Sequence, residues 1–267
     1  MKAGSGSKVM SGEIIGLHHW FDSPPGRYLL AWEQERHDEL VADIFGYHAL
    51  QLGMPGLQGL RANRMPHRWL ALDSAQSLLP GSEAPALLAD AVALPFAEAS
   101  LDLVVMPHTL ELSADPHAAL REVHRVLVPE GRVVVSGLNP WSLWGLRQRR
   151  ARLYQRLGAG GRLYLPEVGE FIAPGRLRDW LRLLGFELET MSFGCYRPAV
   201  ASERWLQRYG WMDAPGARWW PILGAGYVVV AVKRVQGMRL LEPSWRKAPQ
   251  AAGAQVQVAR RVPPEPQ

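Results

Sequence analysis

The segment Ala89–Phe96 has the sequence ADAVALPF, and after four further residues comes the apolar run Leu101–Met106, LDLVVM. A run of this length is typical of a strand buried in a sheet. Asp90 stands at the end of the short apolar stretch before the turn, so a carboxylate, a Leu-Pro-Phe turn and a buried strand follow one another. This order predicts two strands of an α/β sheet, with a carboxylate at the end of the first.

The residues after this strand predict a helix and then another strand. Asp115 can cap the helix, and Pro116 can occupy its first position, where a proline is tolerated. We expect Pro129 and Gly131 to end the helix, whose apolar residues recur at helical spacing: Ala119, Leu120, Val123, Val126 and Leu127. Two strands joined by a helix pair in parallel, and ligands of such sheets lie beyond the carboxyl ends of the strands.

Short apolar runs bring the number of predicted strands to seven. In chain order they are His48–Leu52, Arg68–Leu72, Ala86–Ala89, Leu101–Met106, Arg132–Ser136, Phe186–Met191 and Tyr227–Val232. A helix is predicted before the sixth strand, with Gly185 ending it, and its apolar face is Leu177, Trp180, Leu181 and Leu184. Ser23 and Pro24 predict the start of a helix before the first strand. Because the polar stretch Glu33–Glu39 breaks its apolar face, we expect a covering helix and not a central one.

The order of these elements predicts one α/β domain between two loose segments. We expect a flexible N-terminus over residues 1–22, a domain over 23–235 and a disordered tail over 236–267, where Pro, Ala, Gln and Arg follow one another without periodicity. The domain has three predicted parts, which are residues 44–137, a basic aromatic insert over 138–170, and a helix with strands over 171–235.

The composition excludes several classes of protein. The chain has 267 residues, of which 48% are hydrophobic, and a formal net charge of +5, as expected for a globular protein with a mildly basic surface. Cys195 is the only cysteine, so an intrachain disulfide is excluded. No apolar run approaches the ~18 residues of a membrane span, and the first residues lack the apolar core of a signal peptide, so we expect a soluble, cytoplasmic protein. With one cysteine and scattered histidines, we expect no metal site.

The span from about Tyr47 to Gly137 resembles the core of the type 11 group of class I S-adenosylmethionine-dependent methyltransferases. The residues that carry the resemblance are Leu94-Pro95-Phe96, Asp115-Pro116, Ala119-Leu120-Arg121-Glu122, Arg125-Val126-Leu127 and the turn before Arg132–Val135. It covers most of residues 44–137 and, more weakly, 170–234. The resemblance implies a doubly wound, mostly parallel seven-stranded sheet of the Rossmann-like methyltransferase fold. It also implies S-adenosyl-L-methionine as cofactor, bound by residues 44–137. The motif Asn139–Arg147, NPWSLWGLR, is similar to a bacterial branch of the same family.

Two acidic positions acquire roles from this resemblance. In the family, the acid after the third strand accepts a hydrogen bond from the adenine amine, and Asp90 matches that position, with the backbone of Ala91 beside the ring. The acid at the end of the second strand holds the ribose hydroxyls, and Asp73 matches it. An aspartate after a strand also commonly caps a turn, so each position has a structural alternative.

The first loop departs from the family's pattern, which is a strand ending in an acid and then Gly-x-Gly-x-Gly. The glycines of that pattern allow a cofactor to approach the backbone closely. Here Gly53 matches the first glycine, Gln51 replaces the acid, and Pro55 replaces the second glycine. The resemblance implies that Gln51, Gly53 and Met54 hold the amino-acid end of the cofactor. The alternative is an ordinary turn after the strand.

The stretch Pro107–Leu110 follows the fourth strand, where the family lines both cofactor and substrate. The resemblance therefore implies cofactor contacts for His108 and Thr109. His108 is also a candidate general base, because an imidazole titrates near neutral pH. The alternative is a loop histidine that only packs or forms hydrogen bonds. No catalytic cluster is evident, and methyl transfer to a nucleophilic acceptor needs little beyond alignment.

The basic insert combines arginines with aromatic residues, namely Arg147, Arg149, Arg150, Arg152, Arg156 and Arg162 with Trp141, Trp144, Tyr154 and Tyr164. Such a segment can grip phosphates and stack on bases, or lie on an anionic bilayer. The alternative is a solvated helix that covers the mouth of the active site.

Three hypotheses of function follow from these observations. The leading one is a methyltransferase that acts on an unidentified small or modified acceptor. The second is a non-catalytic binding protein on the same fold, which the departures Gln51, Met54 and Pro55 motivate. The third is a module that contacts RNA or an anionic membrane through the insert and the basic tail.

Overall fold

A computed structural model describes residues 20–74, 84–158, 163–166 and 169–234. Within them lies one seven-stranded sheet, with the order β3-β2-β1-β4-β5-β7-β6. Its strands are β1 His48–Leu52, β2 His67–Leu72, β3 Leu87–Leu88, β4 Leu101–Pro107, β5 Leu127–Leu138, β6 Phe186–Gly194 and β7 Gly226–Lys233. All seven predicted strands are thus present, with shifts of one to five residues at some ends.

The strand pairing confirms a mostly parallel sheet. Strands β3, β2, β1, β4 and β5 pair in parallel, and β7 runs antiparallel between β5 and β6. Strands β1 to β6 therefore end at one edge of the sheet, which we call the carboxyl edge. Its last strand residues are Leu52, Leu72, Leu88, Pro107, Leu138 and Gly194.

Seven helices accompany the sheet in the described residues. They are α1 Pro24–Ala42, α2 Thr109–Leu112, α3 Pro116–Val126, α4 Leu143–Arg156, α5 Pro174–Leu183, α6 Glu203–Arg208 and α7 Asp213–Trp219, with 3-10 turns at Gly210–Met212 and Pro221–Leu223. Both predicted N-caps are confirmed, because Ser23 accepts a hydrogen bond from the N–H of Gly26, and Asp115 accepts one from Ala118.

The end of α3 differs from the expectation that Pro129 and Gly131 would terminate it. The last helical residue is Val126, and Leu127 already pairs with Leu101 of β4. Pro129 lacks an N–H and restricts the preceding residue to extended backbone, so the chain leaves the helix before it reaches the proline. Strand β5 therefore begins five residues earlier than predicted.

The expected break in the apolar face of α1 was wrong. The side chains of Glu33 and His37 are fully buried and lie on one stripe with Leu29 and Val41, at intervals of four residues. Because residues four apart share one face of a helix, two polar groups belong to the buried stripe itself. The helix covers the sheet as predicted, but it carries charge into the interior.

The core has three parts. On one face of the sheet, α3 and α5 pack through residues such as Leu120 and Leu177. On the other face, Val41 of α1 and Ile44, which comes just after this helix, pack against β4 and β7. A third cluster lies at the carboxyl edge and joins Phe21 to Met54 and Trp144, among others. The segment before α1 and the insert after β5 thus pack together at the carboxyl edge.

The predicted domain limits fall partly outside the described residues. Residues 1–19 and 235–267, which include almost all of the predicted flexible N-terminus and the predicted tail, lie outside them. Trp20 and Phe21, which the prediction placed in the loose N-terminus, are packed in the domain. The indole N–H of Trp20 donates to the carbonyl of Tyr164 at 2.7 Å, and Phe21 is buried. None of the helices in the described residues has the length and apolar character to cross a bilayer.

Candidate functional site at the carboxyl edge

The sheet brings the predicted site residues to its carboxyl edge. Because β3, β2, β1 and β4 are parallel neighbours, their ends lie side by side. The predicted residues stand within these strand ends or directly after them: Gln51, Gly53, Met54, Asp73, Asp90, Ala91, His108 and Thr109. Asp73 and Asp90 are exposed, Gln51, Met54 and His108 are buried, and the other three are half-buried.

Gln51 belongs to the buried group and organises the first loop. Its Nε2 donates to the carbonyls of Gly53, Met54 and Leu57 at 3.2, 3.1 and 2.7 Å. Its Oε1 accepts from the N–H of Gly59 at 2.8 Å. One amide side chain therefore satisfies four backbone groups of this loop. A carboxylate at this position would lack the N–H donors, so the replacement of the family's acid by glutamine changes how the loop is held.

The first loop is also packed from within. Met54 and Leu57 are buried in the cluster with Phe21 and Leu29. Met54 has a left-handed backbone with φ of 47°, and Gly53 one with φ of 73°. Since a methionine rarely adopts this conformation, buried contacts must hold it there.

Asp90 is exposed and caps a turn. Its Oδ1 accepts from the N–H of Val92 at 3.1 Å, and its backbone bridges to Ala93. Within the described residues, Oδ2 of Asp90 takes part in no hydrogen bond. Capping of the turn therefore occupies one carboxylate oxygen of Asp90, while the second oxygen remains an acceptor on the surface of this edge.

Asp73 lies beside Asp90 on the neighbouring strand. It directly follows Leu72 of β2, and its side chain is exposed. The N–H of Ala89 donates to the carbonyl of Leu72 at 2.8 Å, so the chain segments that carry the two aspartates leave the sheet together. The structure thus brings together the two acids that the resemblance predicts to bind the nucleoside of the cofactor.

Thr109 ties the end of β4 to the end of β1. Its Oγ1 donates to the carbonyl of Leu52 at 2.6 Å, and a side chain on Gly53 would meet this oxygen at 3.6 Å. The hydroxyl proton of Thr109 is therefore used inside the protein. The bond fixes the distance between the first loop and the turn at His108.

His108 is fully buried between two carboxylates. Its Nδ1 lies 2.7 Å from Oε2 of Glu111, and its Nε2 lies 3.0 Å from Oε1 of Glu33. Glu111 also accepts from the N–H of Leu138 through Oε1 at 2.7 Å. We call these three side chains the Glu33–His108–Glu111 array. It joins α1, the end of β4 and the end of β5 at one point below the carboxyl edge.

The charges of this array follow from its geometry. Each imidazole nitrogen faces a carboxylate oxygen, so either His108 is an imidazolium or one carboxyl is protonated. Burial lowers the pKa of His108, but the charges of Glu33 and Glu111 outweigh burial and raise it to about 10. Burial raises the pKa of Glu111 in spite of the histidine. Because the pKa values of His108 and Glu111 are both raised, the array retains its proton at neutral pH.

His108 has no route to an acceptor in this geometry. Both of its nitrogens are engaged, its side chain is buried, and the ring of Phe21 packs against it at a centroid distance of 5.3 Å. A general base must reach the proton that it removes, directly or through one water. The same engagement leaves no nitrogen lone pair for a metal ion.

Sequence reasoning missed Glu33, His37 and Glu111. The spacing of His108 and Glu111, three residues apart around α2, was a local signal that could have suggested a pair. Glu33 gave no such signal, because it stands 75 residues from His108. His37 lies one turn after Glu33, and its Nδ1 is 2.8 Å from the Glu33 carbonyl. Its Nε2 is buried, without a hydrogen-bond partner among the described residues.

The residues of this edge fit S-adenosylmethionine better at its nucleoside end than at its amino-acid end. The exposed carboxylates of Asp73 and Asp90 suit ribose hydroxyls and an adenine amine, which are hydrogen-bond donors. At the first loop, by contrast, Gln51 occupies backbone groups, and Pro55 has no N–H to offer. The chemistry of the donors and acceptors therefore fits the nucleoside. At Gly53, the N–H already donates to the carbonyl of Ala71 at 2.8 Å and the carbonyl already accepts from Gln51.

Comparisons with known proteins point to one family. A family model described as a methyltransferase domain matches residues 61–135, a span that starts after the first loop. The chain is 31% identical over 176 residues to the uncharacterized protein YafS of Escherichia coli, covering 66% of this chain and 67% of that protein. It is 35% identical over 153 residues to a demethylmenaquinone methyltransferase of Thermus thermophilus, covering 52% of this chain and 69% of the relative.

A solved structure shares the fold. It is a SAM-dependent methyltransferase from Thermotoga maritima, described as a possible histamine N-methyltransferase. Its TM-score to this chain is 0.54 at 15% identity, and the match covers 85% of this chain and 99% of that structure. At this identity the likeness bears on the fold alone, and it agrees with the predicted Rossmann-like methyltransferase architecture.

Proposed function

We propose that this chain, which belongs to the type 11 group of class I S-adenosylmethionine-dependent methyltransferases, binds the cofactor at its carboxyl edge and transfers the methyl group to an acceptor. The observation that supports this most is the position of Asp73 and Asp90 on adjoining strand ends, exposed and next to the first loop. Carboxylates so placed suit the nucleoside of the cofactor, and the bound cofactor supplies an electrophilic methyl group on a sulfonium.

Each residue of the edge has a defined task under this proposal. Asp90 accepts from the adenine amine through its second oxygen while the first continues to cap the turn. The backbone of Ala91 lies beside the ring, and Asp73 accepts from the ribose. The loop at Gly53 and Met54, which Gln51 holds in one conformation, lies beside the amino-acid end of the cofactor. The carboxylates supply the specificity, because a ligand that displaces water from them without offering hydrogen-bond donors would leave them without partners.

His108 has a positioning role in this proposal. Its buried ring fixes the turn that follows β4, and Thr109 joins that turn to the end of β1 through a hydrogen bond. A buried imidazole with both nitrogens engaged cannot take a proton from an acceptor. We therefore propose an acceptor that is already nucleophilic, and alignment of acceptor, methyl group and sulfur as the main source of rate.

The alternative of a non-catalytic binding protein has no support among the matched relatives. The departures at Gln51 and Pro55 that motivated it are compatible with binding, because Gln51 keeps the loop in one conformation. The relative from Thermus thermophilus is named a demethylmenaquinone methyltransferase, so demethylmenaquinone is the first acceptor to assay.

Isothermal titration calorimetry with S-adenosylmethionine and S-adenosylhomocysteine tests the proposal. We expect binding by the intact chain and a loss of about tenfold or more in affinity for Asp90→Ala, since hydrogen bonds to charged groups contribute about 1.5–3 kcal/mol. The matched control is Asp179→Ala, which removes an exposed carboxylate from α5. Absence of heat and of competition by the second ligand in the intact chain would refute the proposal, as would equal affinities of the two variants.

A further inference from the structure

Helix α4 carries an unusual concentration of positive charge. Its sequence LWGLRQRRARLYQR contains five arginines and no acidic residue. Within the described residues, none of the five forms an ion pair with a carboxylate, whereas arginines elsewhere in the chain do. Surface arginines on a helix are usually interspersed with acids, so this helix presents a field of one sign.

The same helix exposes a stripe of leucines. Leu143, Leu146, Leu153 and Leu157 follow at intervals of three, seven and four residues and are between 45% and 70% exposed. With 3.6 residues per turn, they lie within an arc of about 100°. Scattered exposed leucines need no explanation, but an ordered stripe on one face marks an interaction surface.

The side chain that lies among these leucines is Arg150, and further arginines stand beside them. By helical geometry Arg147 lies on one side of the stripe, and Arg149 and Arg156 lie on the other. Tyr154 and Trp141 add exposed rings, with the guanidinium of Arg150 5.9 Å from the first ring centroid and that of Arg149 4.5 Å from the second. We call the surface formed by these residues the arginine–leucine face.

The opposite side of α4 anchors it firmly to the domain. Trp144 is buried, and its indole N–H donates to the carbonyl of Arg197 at 2.8 Å. Gln148 accepts from the N–H groups of Tyr164 and Leu165 at 2.8 and 3.0 Å. Ser142 caps the first turn through the N–H of Gly145. The arginine–leucine face is therefore preformed, and it does not need to fold on binding.

The surface beside the face is also apolar. Twelve of the sixteen large hydrophobic side chains that are exposed in the described residues lie between residues 141 and 157 or between 205 and 223. Asn139 connects these segments, because its Nδ2 donates to the carbonyls of Ile222 and Gly224 at 2.8 and 2.9 Å. Both segments follow strands that end at the carboxyl edge. The apolar exposure is thus concentrated at one end of the sheet.

A shallow cleft lies within the face. It has a volume of about 270 Å³ and is lined by Leu143, Leu146, Arg147, Arg150 and Ala199. Arg147 donates to the carbonyl of Ala199 and so forms one wall of the cleft. Two guanidinium groups above a leucine floor suit a group that is anionic at one end and apolar at the other, as a phospholipid is.

We propose that the arginine–leucine face binds the surface of an anionic membrane. The leucines and Trp141 enter the boundary between headgroups and acyl chains, while the arginines extend to the phosphates. A helix with apolar residues on its outer side and cationic residues flanking them lies in the plane of the bilayer surface. Anionic lipid adds attraction for each basic residue near the surface. The domain would then approach the membrane with its carboxyl edge.

Two other partners fit the face less well. An RNA would stack its bases on the exposed rings, but Arg149 and Arg150 of this chain already lie over the rings of Trp141 and Tyr154. RNA also gives no reason for a stripe of leucines, since nucleic-acid surfaces are polar and anionic. A second copy of the chain would bring two sets of unpaired arginines together, and like charges at an interface oppose association.

Co-sedimentation with lipid vesicles tests this proposal without any measurement of activity. The full chain is mixed with vesicles of phosphatidylcholine alone and with vesicles that also contain phosphatidylglycerol. We expect binding to the anionic vesicles, and a decrease of about tenfold or more for the double variant Leu146→Ser/Leu153→Ser, because apolar burial contributes to such binding. We expect Arg149→Gln/Arg156→Gln to bind the anionic vesicles severalfold less than the unaltered chain. We also expect binding of the unaltered chain to decrease severalfold when the salt is raised from about 0.1 M to about 0.5 M.

The matched control is Phe45→Ser, which removes a 71% exposed aromatic side chain before β1, at the opposite edge of the sheet. We expect it to bind vesicles like the unaltered chain. Circular dichroism and thermal unfolding check that every variant folds. The proposal is overturned by an absence of binding to anionic vesicles, or by binding that the leucine variant retains. It is also overturned if the leucines are needed only for a dimer seen by light scattering, or if a short single-stranded RNA binds and vesicles do not.

Discussion

The Nε2 atom of His108 lies 3.0 Å from Oε1 of Glu33, although the two residues are 75 positions apart in the chain. Glu111 occupies the other imidazole nitrogen, so the histidine is held from both sides. Through this array, the helix that covers the sheet is joined to the turn that follows β4. The turn then leads through Thr109 to the first loop, so the array bears directly on the shape of the carboxyl edge.

Loss of one carboxylate should destabilise the domain strongly. We expect Glu33→Ala to lower the free energy of unfolding by about 2–4 kcal/mol, because the buried Nε2 of His108 loses its partner and the truncated side chain leaves a cavity. Urea unfolding followed by tryptophan fluorescence measures the effect. The control is Glu35→Ala on the exposed side of α1, which should change stability by no more than about 0.5 kcal/mol. Equal effects of the two substitutions would contradict the role assigned to the array.

Stability should fall as the pH rises above neutrality. The pKa of His108 is raised from 6.5 to about 10, so the stabilisation that it provides is complete below pH 6.5 and is lost as the pH rises through about 10. The raised pKa of Glu111 acts in the same direction. Burial lowers the pKa of His37, and that contribution is instead lost as the pH falls below 6.5.

Unfolding in urea at several pH values between about 6.5 and 8.5 reports on the Glu33–His108–Glu111 array, because Cys195 and the buried tyrosines contribute mainly above this range. We expect the free energy of unfolding to decrease across the range for the unaltered chain. His108→Gln should remove most of this slope. A slope that is unchanged in the variant would show that another group is responsible.

The glutamine at the first loop should not tolerate the family's acid. In Gln51→Glu the carbonyls of Gly53, Met54 and Leu57 would face a carboxylate without N–H groups. We expect a loss of at least about 2 kcal/mol in the free energy of unfolding, since a buried group left unsatisfied costs about 1–3 kcal/mol. Gln51→Leu should also destabilise, and Gln207→Leu on the exposed side of α6 should not. A more stable Gln51→Glu variant would contradict this account of the loop.

Asn139 should act as a structural junction. Its side chain donates to Ile222 and Gly224 and accepts from the N–H of Trp141 at 3.0 Å. Asn139→Ala removes three hydrogen bonds and should cost about 2–4 kcal/mol. Asn139→Asp keeps the acceptor but loses the donors, so we expect it to be destabilised as well. Thermal unfolding of both variants measures the effect, and a fully stable Asn139→Asp variant would show that the donors are not needed.

Local features of the sequence predicted the elements of this fold with fair accuracy. The apolar run Leu101–Met106 became β4 with one further residue, and His48–Leu52 is β1 at both ends. Ser23 and Asp115 cap their helices as predicted. These signals depend on neighbours in the chain, because a cap or a buried strand is decided within a few residues. The same local signals also brought Asp73 and Asp90 to one edge, since parallel strands end together.

Local patterns in the sequence did not predict the buried polar residues near the carboxyl edge. The polar stretch Glu33–Glu39 predicted a break in the apolar face of α1, yet Glu33 and His37 are buried in it. Gln51 looked like a weakened cofactor ligand, and in the structure it binds the backbone of its own loop. Gln51 is buried because backbone groups of its own loop compensate its loss of water, whereas Glu33 depends on His108, a partner 75 positions away that no fixed spacing in the sequence indicates.

Short-range sterics and the periodicity of apolar residues are enough to predict the seven strands, the caps of two helices and the carboxylates at the strand ends. The packing of distant segments, in contrast, encloses His108 between Glu33 and Glu111, out of reach of an acceptor, and leaves the leucines of α4 exposed. Both outcomes depend on which surfaces lose contact with water when distant segments pack. That loss sets the energy of a buried charge, and no local pattern of residues contains it.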